Sequence, residues 1–173
     1  MPTNIADLSW EVLKKHVYRS DGSLPDVIVL DTNRDDWRRW VDFVQANYPV
    51  RFLYRGDEEP LEQEKIDLAA VFTYWDNDLP GNAPFAYVTI GRIQFNCFFL
   101  SDDTIDCDID PREIKEQDDH AQLLHFLTSV AALLGKKIVV VEEGAQFVAG
   151  SPLNREPLFT VDQYGATVTV NAW

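Results

Sequence analysis

The sequence predicts a single α+β domain, a mostly antiparallel sheet packed against two longer helices. Two segments, one in the middle of the chain and one near its end, alternate apolar and polar residues as the half-buried strands of hairpins do. Two other segments have the three-and-four apolar spacing of amphipathic helices. Because hairpins and helices are mixed along the chain, the element order indicates the α+β class.

Length and charge limit the classes of function. At 173 residues the chain has the size of one domain, since domains typically run to about 100 to 200 residues. Its 15 Lys and Arg stand against 29 Asp and Glu, which gives a net charge of -14. Such a chain repels nucleic acids and anionic membranes and attracts cations. We therefore expect a basic protein partner, no direct nucleic-acid binding and no membrane association.

The compartment is predicted from what the sequence lacks. The first residues have neither the basic nor the apolar region of a signal peptide, and no apolar run has the length of a membrane span. The chain has two cysteines, Cys97 and Cys107, which is typical of a reducing compartment. We expect a cytoplasmic protein with free buried thiols, although a bridge across the central hairpin would be within reach.

The first part of the chain predicts a helix, a strand and a longer helix. Ser9 is a candidate cap for a short helix, and residues 9–18 are interpreted as that helix followed by a strand. Residues 26–30 predict a strand. The longer helix begins after Thr32, its expected N-cap, and ends at Tyr48. One apolar face of this helix is expected in the core: Trp37, Trp40, Val41 and Val44.

The next part alternates strands and loops. Residues 50–54 and 86–90 predict strands, and residues 56–60 and 76–84 are rich in turn-forming or charged residues typical of loops. For residues 62–75 the periodicity fits both a helix and an extended segment, so both stay open.

A hairpin over residues 93–100 and 105–110 is the centre of the prediction. Pairing Phe99 with Ile105 places Cys97 opposite Cys107. One face is expected in the core: Ile93, Phe95, Cys97, Phe99, Ile105, Cys107 and Ile109. After it the sequence predicts a helix from Asp118 or Asp119 to Leu134, an apolar strand at 137–142, a loop at 144–155, and a closing hairpin of 159–161 with 167–170.

The reverse face of the central hairpin and its turn carry the candidate partner-binding residues. Carboxylates beside apolar groups are typical of an interface core with a charged rim. The alternative is the solvated face of an edge hairpin, protected from aggregation by its charge. The candidate residues are Asp102, Asp103, Asp106, Asp108, Asp110, Phe98 and Leu100.

Catalytic and metal-binding patterns are weak throughout. His120 and His125 are five residues apart on a helix, about 140° around its axis, so they cannot share one metal ion. Each is expected at the surface or as a cap. Glu142 and Glu143 at the end of a strand are the most enzyme-like feature, but a charged strand terminus is the favoured explanation. The sequence predicts no catalytic residue, no metal site and no cofactor.

The central region resembles a known class of protein. Residues 98–114, the Leu-rich helix after them and the strand from Ile138 to Glu142 are similar to small acidic cytosolic immunity proteins that accompany bacterial polymorphic toxins. This resemblance implies a single-domain, non-enzymatic inhibitor that occupies the active site or an exosite of its cognate toxin.

The leading hypothesis is therefore an immunity protein that neutralises a basic, nuclease-like toxin through an acidic surface. One alternative is a DNA-mimic or regulatory protein that sequesters a nucleic-acid-binding partner. Another is a metal-dependent enzyme that uses Asp106, Asp108 or Glu142.

Overall fold

The computed structural model describes residues 2–54, 61–77, 82–145 and 155–169, which form an α+β domain as the sequence predicts. The described strands are β1 (Pro2–Asn4), β2 (Asp26–Leu30), β3 (Val50–Tyr54), β4 (Leu61–Gln63), β5 (Phe85–Ile90), β6 (Ile93–Phe98), β7 (Thr104–Asp108), β8 (Ile138–Val141), β9 (Phe159–Asp162) and β10 (Gly165–Thr169). The described α-helices are α1 (Trp10–His16), α2 (Arg34–Asn47), α3 (Leu68–Asn77) and α4 (Gln117–Leu134).

These strands make one sheet in the order β1, β10, β9, β8, β2, β7, β6, β5, β3, β4, and the paired strands are antiparallel. The predicted register of the central hairpin is confirmed, with Cys97 opposite Cys107. All seven residues predicted for its apolar face are buried. Both cysteines are free thiols.

The helices pack on one face of the sheet, around an aromatic centre. Trp37 and Trp40 of α2 are buried, and the Trp37 ring lies 4.9 Å from that of Phe99. The indole N–H of Trp75, on α3, donates a hydrogen bond to the Phe99 carbonyl oxygen at 2.9 Å. The aromatic stripe on α2 is core, as expected. Gly135 ends α4 with a φ of 65°, which confirms the predicted left-handed cap.

Two details of the first helices differ from the prediction. No strand follows α1, because the N–H groups of Val17 and Tyr18 both donate to the Leu13 carbonyl oxygen and turn the chain back. The N-cap of α2 is Asn33, whose side chain accepts from two backbone N–H groups. Thr32 is buried and donates its hydroxyl to the Asp102 carbonyl oxygen instead.

The remaining boundaries are close to those predicted. Residues 62–75 divide into the short strand β4 and the helix α3. Strand β1, which pairs with β10, was not predicted, because three residues show no periodicity. The predicted loop at 56–60 and most of the loop at 144–155 lie outside the described residues.

Alternate residues of each strand point away from the four helices, and we call that side the helix-free face. It is not uniformly accessible: Ile28 and Val141 are buried there, whereas Gln94 and Thr89 are exposed. Other members in the central strands are half-buried, among them Asp26, Phe85, Tyr87, Asn96, Phe98, Asp106 and Asp108.

Candidate functional site

The central hairpin lies in the interior of the sheet, and this position determines which roles its aspartates can have. Strand β7 pairs with β6 on one side and with β2 on the other. The interpretation of these carboxylates as protection of a sheet edge is therefore wrong, because β7 has no free edge. Asp106 and Asp108 stand in the middle of the helix-free face.

Asp108 is the centre of one row of side chains across this face. It pairs with Asn96 on β6 and with Asp26 on β2, so two carboxylates face each other across neighbouring strands. Asn96 Nδ2 donates to Asp108 Oδ1 at 2.5 Å, and the Gly144 N–H donates to Asp26 Oδ2 at 3.2 Å. Burial, and then the nearby carboxylates, raise the pKa of Asp26 to about 6. Burial also raises the pKa of Asp108, against the effect of the Asn96 hydrogen bond.

Asp106 is the centre of the adjacent row, between Phe98 and Ile28. Burial raises the pKa of Asp106, and the negative charge of Asp108 adds to the effect. Among the described residues, no Lys, Arg or His lies within ion-pair distance of Asp26, Asp106 or Asp108. The sheet thus holds three carboxylates together, partly out of water and without a described counter-charge.

Aromatic rings flank these carboxylates toward β3. The Phe98 and Phe85 ring centroids are 6.5 Å apart, and the Phe85 and Tyr87 rings meet edge to face at 5.3 Å. All three rings belong to the helix-free face and are half-buried. We call the following six residues the acid–aromatic patch: Asp26, Asp106, Asp108, Phe85, Tyr87 and Phe98.

The other predicted carboxylates make internal contacts. Asp102 Oδ2 accepts from Arg34 Nε at 3.3 Å, and Asp103 accepts from a neighbouring serine hydroxyl at 2.5 Å. Asp110 pairs with Arg112 at 2.7 Å and caps the 3₁₀ turn that follows β7. The Arg112 hydrogen bond lowers the pKa of Asp110. These three carboxylates therefore have structural partners that Asp106 lacks among the described residues.

Leu100 lies at the turn end of the hairpin, apart from the patch. It is 55% exposed and lines a cavity of about 230 Å³ together with Tyr74, Trp75 and Asp102. The structure therefore places five of the seven predicted residues in two separate places, and Asp103 and Asp110 belong to neither. Phe98, Asp106 and Asp108 are in the patch, and Leu100 and Asp102 are in the turn cavity.

Comparisons with protein-family models, with curated proteins and with solved structures gave no match. Within the described ranges, no group of three or more His, Cys, Asp or Glu side chains could hold a metal ion. The helices of the described part are too short or too polar to cross a membrane.

The side chains that could take part in catalysis, Glu142 and His120, both contact other residues of the fold. Glu142 forms ion pairs with Arg19 and with Arg155. The expectation that His120 is a surface or capping residue is wrong: it is buried within α4, and its Nδ1 is 2.6 Å from the hydroxyl oxygen of Tyr18. Burial lowers the pKa of His120 to about 4. His125 is exposed on α4, as expected.

Sequence reasoning missed half of the patch. Asp26, Phe85 and Tyr87 come from β2 and β5, and only the pairing of those strands with the central hairpin brings them beside Asp106 and Asp108. A local signal exists for Asp26, because a carboxylate at the start of an otherwise apolar strand is unusual in a sheet interior. For Phe85 and Tyr87 the alternation predicts that they share one face of their strand. Only the order of strands in the sheet shows which strands lie beside theirs.

Proposed function

We propose that this protein is a non-enzymatic inhibitor that binds a cationic protein domain through its acidic surface, in the manner of an immunity protein for a nuclease-like toxin. The observation that carries the proposal is the pair Asp106 and Asp108 in the middle of the helix-free face, with no described cation beside it. Leaving carboxylates partly buried and unpaired costs stability. A basic partner would offset that cost on binding.

The charge of the whole chain supports the same proposal. A domain that cleaves or binds nucleic acids presents Lys and Arg to the phosphate backbone. Carboxylates on an inhibitor can occupy those cationic positions in place of phosphates, and a net charge of -14 accelerates the encounter at low salt. We expect tight, selective binding of one basic toxin domain and no direct binding of DNA or RNA.

The test is co-expression with the product of the neighbouring upstream gene, followed by purification of the complex and a nuclease assay. The double variant Asp106→Lys with Asp108→Lys should lose protection of the cell and affinity for the toxin. Glu11→Lys with Asp42→Lys is the matched control. Both residues are exposed on helices, and the change in net charge is the same. Equal loss in both double variants would mean that overall charge, and not this surface, determines binding.

The salt dependence of binding separates the proposal from a DNA-mimic function. A dedicated inhibitor should select one partner and keep binding it at moderate salt, because packed apolar contacts add to the charge attraction. Capture of several unrelated basic proteins, with affinity that falls steeply as salt rises, would favour the DNA-mimic instead.

A further inference from the structure

The acid–aromatic patch has a composition that fits one kind of side chain. We infer that it seats an arginine of the cationic protein partner, with the guanidinium on the Asp106 and Asp108 carboxylates and against the ring of Phe98. This inference rests on the proposed function and specifies the chemistry by which the partner is recognised. It also assigns the contact to the helix-free face and not to the turn cavity that contains Leu100.

The spacing within the patch suits a guanidinium. Directly opposed residues on antiparallel strands have Cβ atoms about 4.5 to 5.5 Å apart, so the Phe98 ring and the Asp106 carboxylate are immediate neighbours. Asp106 and Asp108 are alternate residues on one strand, about 7 Å apart. Arginine presents several N–H donors in a planar fork and stacks on aromatic faces, whereas lysine offers a single point of charge.

The same combination of an arginine, a ring and a carboxylate occurs at least twice among the described residues of this molecule. The Arg34 guanidinium lies 5.0 Å from the Phe72 ring centroid while it pairs with Asp76 at 2.5 Å. The second instance involves a patch residue, because the Arg51 guanidinium is 5.5 Å from the Tyr87 ring centroid while it pairs with Glu62. In the patch the carboxylate and the ring are in place, and the described residues supply no arginine to Asp106.

Charge complementarity decides between the possible occupants of this sheet face. A second copy of the chain would bring another strongly acidic protein against the same carboxylates, which is repulsive. A purely apolar segment would bury Asp106 and Asp108 without a counter-charge, at a large cost. A cationic segment with an arginine satisfies both the carboxylates and the rings.

The test is an NMR titration of the full chain with hexa-arginine and, separately, with hexa-lysine. Hexa-arginine should cause saturable shifts of the Asp106 and Asp108 side-chain carboxyl signals, with hexa-lysine binding several-fold more weakly. Asp106→Asn should weaken hexa-arginine binding about tenfold, the usual effect of one lost charge-assisted hydrogen bond. Phe98→Ala should weaken it about threefold through the lost cation–π contact.

Asp42→Asn is the control, because Asp42 is exposed on α2, away from the patch. It should leave the affinity unchanged. Shifts spread evenly over all exposed carboxylates, or equal affinities of the Asp106→Asn and Asp42→Asn variants, would overturn the inference. Unchanged amide spectra of unliganded Asp106→Asn away from residue 106 would show that the variant folds.

The two proposals fail in different ways. If the toxin is neutralised and Asp106→Lys with Asp108→Lys abolishes neutralisation, but hexa-arginine shows no preference for the patch, only the arginine assignment is wrong. If hexa-arginine selects the patch but no basic toxin domain is bound or inhibited, the inhibitor function is wrong and the binding surface stands.

Discussion

The two faces of this sheet are built from the same strands, and around the central hairpin they differ in burial and in charge. On the helical face, Phe99 and Cys107 are fully buried among apolar side chains. On the helix-free face, their chain neighbours Phe98 and Asp106 are half-buried, and the sheet brings carboxylates together there. One strand thus contributes to stability with one set of alternate residues and leaves the other set for the recognition that we propose.

The largest difference between the faces should appear when neighbouring phenylalanines are truncated. Phe99→Ala removes a ring that packs against Trp37, Trp40 and Phe52, and should lower the free energy of unfolding by about 3 to 5 kcal/mol. Phe98→Ala removes a half-buried ring and should cost about 1 kcal/mol. Urea denaturation of the two variants measures both values. Similar losses would mean that the helix-free face is as much a core as the helical one.

The second comparison concerns the pH dependence of stability. On the helical face we expect a contribution from His120. Its pKa of about 4 lies below the ordinary value of 6.5, because burial disfavours the charged ring. Between these pH values the unfolded chain binds the proton and the folded chain does not. Stability should therefore fall as pH drops from 6.5 to 4, by up to about 3 kcal/mol for this group.

His120→Asn keeps an acceptor for the Tyr18 hydroxyl and cannot be protonated in this range. The variant should lose this part of the pH dependence, as measured by urea denaturation at several pH values. An unchanged pH profile would mean that His120 is not the titrating group.

The helix-free face should respond to acid with the opposite sign. Asp26 has a folded pKa of about 6, above its ordinary value of 3.8, so the folded state binds its proton more readily. Its contribution to stability is complete at low pH and is lost as pH rises from 3.8 to 6. Asp26→Asn should therefore stabilise the protein at pH 7 by about 1 kcal/mol, after allowance for solvent screening.

The gain should disappear near pH 4, where Asp26 is already protonated in the folded state. Asp21→Asn is the control of opposite sign, because hydrogen bonds from Ser23 lower the pKa of Asp21. A gain at pH 7 that persists unchanged at pH 4 would contradict the assigned cause.

The smallest expected effect is a change in pKa. It compares Asp110, which has an ion-pair partner, with Asp106, which has none among the described residues. Arg112 holds the pKa of Asp110 below its ordinary value through two-point hydrogen bonding. Arg112→Ala should raise the pKa of Asp110 and leave those of Asp106 and Asp108 nearly unchanged. An NMR titration of the carboxyl groups measures all three. A large change at Asp106 would show that Arg112 acts on the patch at a distance.

Much of the fold could be predicted because its signals are local. The alternation from Ile93 to Ile109 specifies both faces of the central hairpin, since a slip of one residue would bury carboxylates and expose rings. The long helix α4 follows from its apolar spacing and from Gly135. The predicted cap Thr32 failed because its hydroxyl is used by a residue 70 positions away, a contact that no local pattern reveals.

The sequence alone determined which residues of each strand share a face, because that depends only on the two-residue period of an extended chain. It also determined that the protein would be strongly acidic, because charge follows from composition. Only the tertiary structure decided that β2 lies against β7 and places Asp26 opposite Asp108, and that Asp106 lies between Phe98 and Ile28 with no described cation beside it. Strand order and cross-strand pairing depend on contacts between residues far apart in the chain, and those contacts supply or withhold the neighbours that set the ionisation of each carboxylate.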